Sequence, residues 1–325
     1  MKRRCVLRLI ALPTLIASSV ARAQGAPKTL HIGLLSSGDR DNRSALDEAL
    51  VRGLNDRGFI EGRNLVIERR YSSEKFRENA NELAGMKLDA VLTTCTPSTR
   101  VMKEATQSTP IVMVGVSDPV RQGLITSLAK PGGNVTGRSS QAEDLLAKRL
   151  ELMAGLLPKL STVAVLMNGG NPVHALGWQQ LEEAATGFGL KLLKVELMRA
   201  EELDAAMAAA MRSKPAALFV MPDDPMMFNL RPRLMETASR YRLADFYWVA
   251  QYVESGGLMS YGESLSDSYY QTAAYLDAVA RGALPRDMPV SQPTRFELVV
   301  NLKTARARGI AIPSTYLLRA DRVIE

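Results

Sequence analysis

Short apolar runs that alternate with amphipathic segments are the feature that most constrains this fold. Helix-like segments at 45–57, 76–86, 98–107, 144–157 and 177–187 separate most of these runs. Strands that are apolar on both faces and alternate with helices are typical of parallel sheets with helices on both sides. The runs are LHIGLL (30–35), LVIERRY (65–71), DAVLTT (89–94), PIVMVGV (110–116), TVAVLM (162–167), LKLLKVEL (190–197), AALFVM (216–221) and DFYWVA (245–250). We therefore predict an α/β protein.

The pattern occurs twice, which predicts two lobes. Breaks of periodicity at KPGGNVTGRSS (130–140) and ESGGLMSYGES (254–264) mark the expected crossings between them, and a last strand (296–302) and helix (303–308) follow. We expect two doubly wound, Rossmann-like lobes joined by a hinge. The predicted N-terminal lobe comprises residues 28–140 and 256–288, and the C-terminal lobe comprises 141–255 and 289–325.

Residues 1–23 have the composition of an export signal. A basic MKRR precedes a short apolar stretch, and Ala-Arg-Ala at 21–23 fits a cleavage site. The apolar stretch is too short to cross a bilayer, which takes about 20 residues. Arg3 and Arg4 leave both the Sec and the Tat (twin-arginine) routes open. The sequence therefore predicts a protein that is exported with a cleaved signal peptide.

Removal of this leader changes the charge balance. The chain has 41 basic and 34 acidic residues, and five of the basic residues lie in the leader, which leaves 36 against 34. No basic field of the kind that binds nucleic acid remains, so we expect no nucleic-acid partner. Cys5 leaves with the leader, so Cys95 is the one cysteine of the mature chain and no internal disulfide is expected.

Polar side chains follow nearly every predicted strand. Ligands of doubly wound sheets bind at the carboxyl ends of the strands, so these residues are candidate ligand contacts. They are Ser36 and Ser37 after the first strand, Thr96, Pro97 and Ser98 after the third, Ser117 and Asp118 after the fourth, and Asn168, Asn171 and Asp223 in the second half. Helix capping explains each of them equally well, because Ser, Thr, Asp and Asn are preferred N-caps. With Gln251 and Tyr252 after the strand 245–250, six strand ends agree, which favours a site.

The turn TTCTPST (93–99) is the strongest of these candidates. Free N–H groups at a helix N-terminus, together with the hydroxyls of Thr96 and Ser98, would attract a carboxylate or phosphate. Neither G-x-x-x-x-G-K-[ST] nor G-x-G-x-x-G occurs in the sequence, which argues against a nucleotide. We expect Thr96 and Ser98 to cradle an anionic group, with Cys95 packed behind them.

Catalysis and aromatic contacts are the alternatives. Cys95 would need a base, for which His174 is the candidate across the cleft, and Asp223 with Asp224 would serve as an acid–base pair. These residues define an exported Cys or Asp hydrolase as a minority hypothesis. Tyr252 and Tyr261 flank the expected second crossing, where they would either pack in the core or cover the apolar part of a ligand.

Longer motifs resemble one known family. They are GFIEGRNLVIERRY (58–71), TTCTPST (93–99), GVSDPVRQGLI (115–125), LAKPGGNVTG (128–137), KRLELM (148–153), GGLMSYG (256–262) and QPTRFELVVNLKTARARGIAIP (292–313). Together they are similar to the exported substrate-binding component of ABC uptake systems, in the group that includes tryptophan- and tyrosine-binding members. The resemblance covers residues 28–325.

The resemblance implies a type I periplasmic binding protein, which is not an enzyme and carries no cofactor. It implies a periplasmic, monomeric receptor that traps a small amino-acid-like or carboxylate solute between its lobes by hinge closure and delivers it to an ABC permease in the inner membrane. Strand-end residues of both lobes would hold the solute, with Tyr261 at the crossing. A periplasmic sensor for a membrane signalling receptor is the alternative. Cys95 and Met167 depart from the family pattern, which argues against a tryptophan pocket.

Overall fold

The computed structural model describes residues 29–38, 40–72 and 75–325, and the side chains of all of these except 40–44. The predicted signal peptide, residues 1–23, lies outside them. Within the described part of the chain, no helix combines the length and the hydropathy that crossing a bilayer requires.

The first sheet has five parallel strands in the order β2-β1-β3-β4-β5. Strands β1, β3 and β4 are short and almost wholly buried, because helices cover both faces of the sheet, whereas the edge strand β2 is only partly buried. Their bounds are β1 Leu30–Ser36, β2 Leu65–Tyr71, β3 Ala90–Thr93, β4 Ile111–Ser117 and β5 Val135–Ser140.

The second sheet has seven strands in the order β12-β11-β10-β9-β8-β6-β7. All neighbours are parallel except β10 and β11, which pair antiparallel. The bounds are β6 Thr162–Asn168, β7 Lys191–Leu197, β8 Ala217–Val220, β9 Ala244–Tyr247, β10 Met259–Gly262, β11 Glu297–Asn301 and β12 Arg322–Ile324.

Twelve α-helices connect or flank these strands in the described residues, with short 3₁₀ turns at 143–145, 200–202 and 285–287. In the first lobe they are α1 Arg40–Asn55, α2 Phe76–Ala84, α3 Thr96–Ala105 and α10 Leu265–Ala280. In the second they are α4 Leu146–Leu156, α5 Pro172–Phe188, α6 Leu203–Met211, α7 Pro225–Asn229, α8 Arg231–Arg240, α9 Ala250–Glu254, α11 Leu302–Arg308 and α12 Ser314–Arg319.

Helices α1 and α10 pack closely against one face of the first sheet. A glycine makes their approach possible, because a Cβ at Gly53 would lie 2.3 Å from the carbonyl oxygen of Tyr270. Aromatic side chains bring the two lobes together beside α10. Phe228 and Trp248 of the second lobe line a small cavity with Leu265 and Tyr269 of α10.

The chain passes between the lobes three times: after β5, between β10 and α10, and between α10 and β11. The crossing strands are tied together, since Arg138 bridges Ser291 and the Thr136 hydroxyl donates to the Met288 carbonyl at 2.7 Å. The predicted boundary at residue 256 differs from this arrangement. Strand β10 belongs to the second sheet because it pairs with β9 and β11, so the second crossing comes after Gly262.

The predicted architecture of two parallel-sheet lobes is confirmed, with differences at its edges. Strand β5 forms in a segment that we read as a break, because Gly137 adopts φ 130° and lets the strand approach β4. A Cβ at Gly137 would lie 2.2 Å from the carbonyl oxygen of Met113. The predicted strand 245–250 ends at Tyr247, and α5 begins at Pro172 rather than 177.

Candidate functional site

The carboxyl ends of both sheets face one another across a cleft. A cavity of about 410 Å³ lies there, which we call the Thr96 cavity. Six predicted residues line it: Thr96, Pro97 and Ser117 from the first lobe, and Asn168, Asn171 and Asp223 from the second. Phe76 is its one aromatic lining residue. The sequence prediction thus located a shared cleft but not all of its walls.

Helix α3 directs its N-terminus toward this cavity. Thr96 and Pro97 line the cavity, whereas the Ser98 side chain is turned away from it and is fully buried. Its hydroxyl accepts from the backbone N–H groups of Thr94 and Cys95, both at 3.2 Å, and donates to the Cys95 carbonyl at 3.0 Å. Ser98 therefore holds the turn rather than reaching the cleft, in contrast to our expectation.

The other hydroxyls behind α3 bond to one another. Thr94 Oγ1 donates to Ser36 Oγ at 3.0 Å, and the Thr93 and Thr99 hydroxyls lie 2.7 Å apart. Ser36 and Ser37 are buried and do not line the Thr96 cavity. These hydroxyls support the strand-to-helix turn from inside the lobe.

In the second lobe, Asp224 organises the wall of the cleft. Its Oδ2 accepts from the side-chain amides of Asn168 at 2.8 Å and Asn171 at 3.0 Å, and its Oδ1 caps α7 through the N–H of Met227 at 3.0 Å. Asn171 in turn caps α5 through the N–H of Val173. Both asparagines line the cavity, and both donate hydrogen bonds to Asp224.

Asp223 differs from its neighbour. It adopts a left-handed backbone with φ 54°, a conformation that residues other than glycine seldom adopt and that clusters at functional sites. Its Oδ2 is shielded from solvent and makes no hydrogen bond, and the same holds for Oε1 of Glu143, which lines the same cavity. Two carboxylate oxygens in the cleft are thus available to a donor.

A buried guanidinium lies behind these acids. Arg149 is 1 % exposed, donates to the carbonyl oxygens of Tyr261 and Ala142, and leaves Nη2 without a partner. Burial lowers the pKa of Arg149 to about 10, against the opposing charges of Asp223, Glu143 and Glu263. Arg149 thus lies near three carboxyl groups, and Arg138 provides a second positive charge beside Glu263.

Burial is the main influence on the pKa values of these three carboxyl groups. Burial raises the pKa of Asp223 well above its ordinary value, and the charge of Glu143 adds to the effect. Burial likewise raises the pKa of Glu143 and of Glu263. Glu263 Oε2 accepts from the Ser268 hydroxyl at 2.7 Å. The cluster favours an added proton or another cation.

A second cavity of about 450 Å³ continues the cleft, and we call it the Gln180 cavity. It shares Ser117, Gln122, Glu143, Pro172 and Val173 with the Thr96 cavity, so the two cavities adjoin. The predicted residue Asp118 lies here, exposed, with φ 34°, and its Oδ1 accepts from the N–H of Arg121 at 3.0 Å.

The two predicted tyrosines do not reach the cleft. Tyr252 is fully buried and stacks on Tyr247, with ring centroids 4.3 Å apart and an interplanar angle of 10°. Tyr261 is half-buried and packs against Phe296 at 6.2 Å. Neither tyrosine lines the Thr96 cavity or the cavity beside it. Both therefore take the packing role rather than the ligand-covering role.

Cys95 and His174, which the hydrolase hypothesis pairs as nucleophile and base, each have other partners. Both ring nitrogens of His174 are engaged, since Nδ1 accepts from the N–H of Asn168 at 3.0 Å and Nε2 donates to the Pro222 carbonyl at 2.9 Å. Burial lowers the pKa of His174, which keeps it neutral. The Cys95 thiol donates to Ser98 Oγ at 3.3 Å, and Asp224 is committed to its asparagines. Cys95, His174 and Asp224, three residues of the hydrolase hypothesis, thus bond to other groups.

Sequence reasoning missed Glu143, Arg149 and Glu263. Arg149 carries the clearest signal, because it lies on the apolar stripe of α4 formed by Leu146, Leu150 and Met153. A charged residue on a buried stripe needs a partner, which should have directed attention to the acids near the crossings. Among the described residues, no group of three or more His, Cys, Asp or Glu is arranged to hold a metal ion.

Two helix-covered parallel sheets with a cleft between their carboxyl ends define the type I periplasmic-binding-protein fold. The sequence profile of the family described as "ABC transporter substrate binding protein" matches residues 32–324. The chain belongs to this family.

Individual relatives agree with this assignment. A tyrosine-binding protein of Clostridioides difficile (strain R20291) is 25 % identical over 294 residues, covering 90 % of this chain and 84 % of that protein. A Streptococcus pneumoniae ABC domain solved in complex with L-Trp superposes with a TM-score of 0.79, 26 % identity and coverage of 90 % and 100 % of the two chains. The ligand-free, open structure of a Clostridium difficile substrate-binding protein superposes with a TM-score of 0.65 and 26 % identity. The match covers 91 % of this chain and 99 % of that chain.

Proposed function

We propose that this protein is the solute receptor of an ABC uptake transporter and traps an amino-acid-like solute between its two lobes by hinge closure. The observation that carries the proposal is the pair of shielded, unpartnered carboxylate oxygens of Glu143 and Asp223 in the cleft, opposite the N-terminus of α3.

An amino acid matches this arrangement at both of its charged groups. Its ammonium is a donor for the free oxygen of Asp223 and supplies a positive charge beside Asp223 and Glu143, whose pKa values are raised by burial. Its carboxylate is complementary to the N–H groups and positive dipole end at the N-terminus of α3, beside the Thr96 hydroxyl. The solute then contacts both lobes at once.

Contacts to both lobes are the basis of the closing mechanism. A ligand that meets the second lobe only when the cleft is shut shifts the hinge equilibrium toward the closed form. The higher TM-score to the ligand-bound relative than to the open one supports a closed arrangement of these lobes. The closed shape is what an inner-membrane permease would recognise, and the leader-like residues 1–23 support export to the periplasm.

Ligand-dependent stabilisation of the purified protein tests this function. A true ligand at about 100 times its Kd adds about 2.7 kcal/mol to the free energy of unfolding. We expect a subset of L-amino acids to raise the melting temperature and Asp223→Asn to abolish the shift, since asparagine tolerates the left-handed backbone of position 223. Glu183→Gln serves as the control, because it removes one negative charge, as Asp223→Asn does, but at an exposed position of α5. If no amino acid stabilises the folded protein, the proposal is wrong.

A further inference from the structure

The cleft has more room than the head group of an amino acid requires. The Thr96 cavity and the Gln180 cavity measure about 410 and 450 Å³ and share one wall. If Asp223 and the N-terminus of α3 hold the ammonium and carboxylate of the solute, its side chain extends past Glu143 into the Gln180 cavity. The chemistry of that second cavity then decides which side chain is accepted.

Two serines in the wall of the Gln180 cavity have unused hydrogen-bonding capacity. Ser117 is 2 % exposed and Ser139 is 1 % exposed, and neither Oγ completes a hydrogen bond. The Ser117 hydroxyl lies near the Glu143 carboxyl group and lowers its pKa, in opposition to burial. Oε1 of Glu143 nevertheless completes no hydrogen bond. Buried polar groups are rarely left unsatisfied, which indicates that a polar ligand group completes this wall.

The lining of the Gln180 cavity carries more negative than positive charge. Asp118, Glu143 and Asp144 contribute carboxylates, and Arg121 is the one basic residue in the wall. In the Thr96 cavity the basic residue is Arg100, whose guanidinium donates to Gln122 Oε1 at 2.7 Å. Carboxylates are acceptors only, so this lining selects a donor-rich cation rather than a neutral or acidic group.

The apolar part of the same wall is aliphatic. Pro119, Leu128, Val173 and Leu176 contribute it, and none of the described residues that line the Gln180 cavity is aromatic. Aliphatic walls pack against methylene groups, whereas the ring faces that would stack on an aromatic side chain are absent from this lining.

We propose that the solute is an aliphatic cation, namely an amino acid whose side chain ends in a basic group that binds Glu143, Ser117 and Ser139 in the Gln180 cavity. This inference deepens the proposed function and rests on it for the position of the head group. It separates this protein from the tyrosine-binding relative and from the relative solved in complex with L-Trp.

Matched ligands test the inference by isothermal titration calorimetry on the purified protein. L-Lysine and L-norleucine share their methylene chain and differ in the terminal ammonium, and L-tyrosine supplies the aromatic case. We expect lysine to bind at least about tenfold more tightly than norleucine and tyrosine, because a charge-assisted hydrogen bond is roughly twice as strong as a neutral one. Equal or tighter binding of norleucine or tyrosine overturns the inference and leaves the proposed function standing.

The diamine 1,5-diaminopentane separates the two proposals. If it binds while no amino acid does, the cation site is supported and the amino-acid head group is wrong. If none of the four probes binds the folded protein, the cation inference is wrong, and the proposed function is then decided by the full set of L-amino acids.

Two variants locate the cation site. Glu143→Gln should bring the lysine-to-norleucine preference below about threefold, while Glu183→Gln should leave it unchanged. Leu176→Arg introduces a positive charge at the rim, where Leu176 is 37 % exposed, and should weaken lysine at least about fivefold more than norleucine. Phe188→Arg, exposed on the same helix and outside both cavities, is its control. An unchanged preference in both Glu143→Gln and Leu176→Arg would refute the site.

Discussion

Arg149 donates through Nε to the carbonyl oxygen of Tyr261 at 2.7 Å, and through Nη1 to the carbonyl oxygen of Ala142. One buried guanidinium therefore joins helix α4, strand β10 and the segment that follows the first crossing. Gly262 leaves room for it, since a Cβ there would lie 3.3 Å from Arg149 Nη2 and 1.8 Å from the Trp248 carbonyl oxygen. The hinge and the acids of the cleft are thus supported by the same side chain.

Arg149→Met should lower the free energy of unfolding by about 3–5 kcal/mol. The substitution removes the guanidinium that lies beside Asp223, Glu143 and Glu263. Removal of one partner from a buried ion pair typically lowers the free energy of unfolding by this amount. Urea denaturation at pH 7.5 measures the change. Arg212→Met, at an exposed position, should change stability by less than about 0.5 kcal/mol. Similar losses in the two variants would show that Arg149 has no special role.

Acidification should stabilise the ligand-free protein through Asp223 and Glu143. A carboxyl group whose pKa is raised on folding binds its proton more tightly in the folded state, so its stabilising contribution is complete below its ordinary pKa, about 4. That contribution is lost as the pH rises through the raised pKa of each group. In the double variant Glu143→Gln/Asp223→Asn this part of the pH dependence should disappear.

The free energy of unfolding at pH 5.0 and pH 7.5 in both proteins measures that difference. Exposed acids with lowered pKa, such as Glu82 beside Arg70, act in the opposite direction but contribute equally to both proteins. The pair Glu182→Gln/Glu183→Gln removes the same charge from an exposed face of α5 and should retain the wild-type pH dependence. Equal slopes in all three proteins would contradict the assignment.

Gly53→Ala and Gly187→Ala should act in opposite directions. Both glycines are helical, but a Cβ at Gly53 meets the Tyr270 carbonyl oxygen at 2.3 Å, whereas a Cβ at Gly187 meets nothing within 4 Å. We expect Gly53→Ala to destabilise by about 1–3 kcal/mol through overpacking. Gly187→Ala should stabilise by about 0.5–1 kcal/mol through helix propensity. Thermal unfolding measures both, and a stable Gly53→Ala protein would show that α1 and α10 do not pack as described.

Ser98→Ala and Thr96→Ala should separate stability from binding. The Ser98 hydroxyl is fully buried and bonds only within the turn, so its loss should cost about 0.5–2 kcal/mol of stability with ligand affinity within about twofold. Thr96 lines the cavity, so Thr96→Ala should weaken solute binding severalfold with little effect on unfolding. Urea denaturation and calorimetry measure the two effects. The reverse result would restore Ser98 as the direct contact.

Much of the architecture could be predicted because it depends on local patterns. The apolar runs that became β1, β3, β4, β6 and β8 are buried on both faces, and this requirement is visible in the sequence alone. Strands β5 and β10 escaped prediction because glycines interrupt them. These short strands form through pairing with neighbours that are distant in sequence.

The sequence by itself determined the fold class and the cleft. Parallel strands place all their carboxyl ends at one edge of a sheet, so Thr96, Ser117, Asn168 and Asp223 could be assigned to a shared cleft without coordinates. Only the tertiary structure decided which of the polar residues face it. Ser98 and Tyr252 point inward, whereas Glu143 and Asp223 meet around Arg149 from segments far apart in the chain. Side-chain direction and long-range charge pairing depend on packing between elements, which sequence periodicity does not encode.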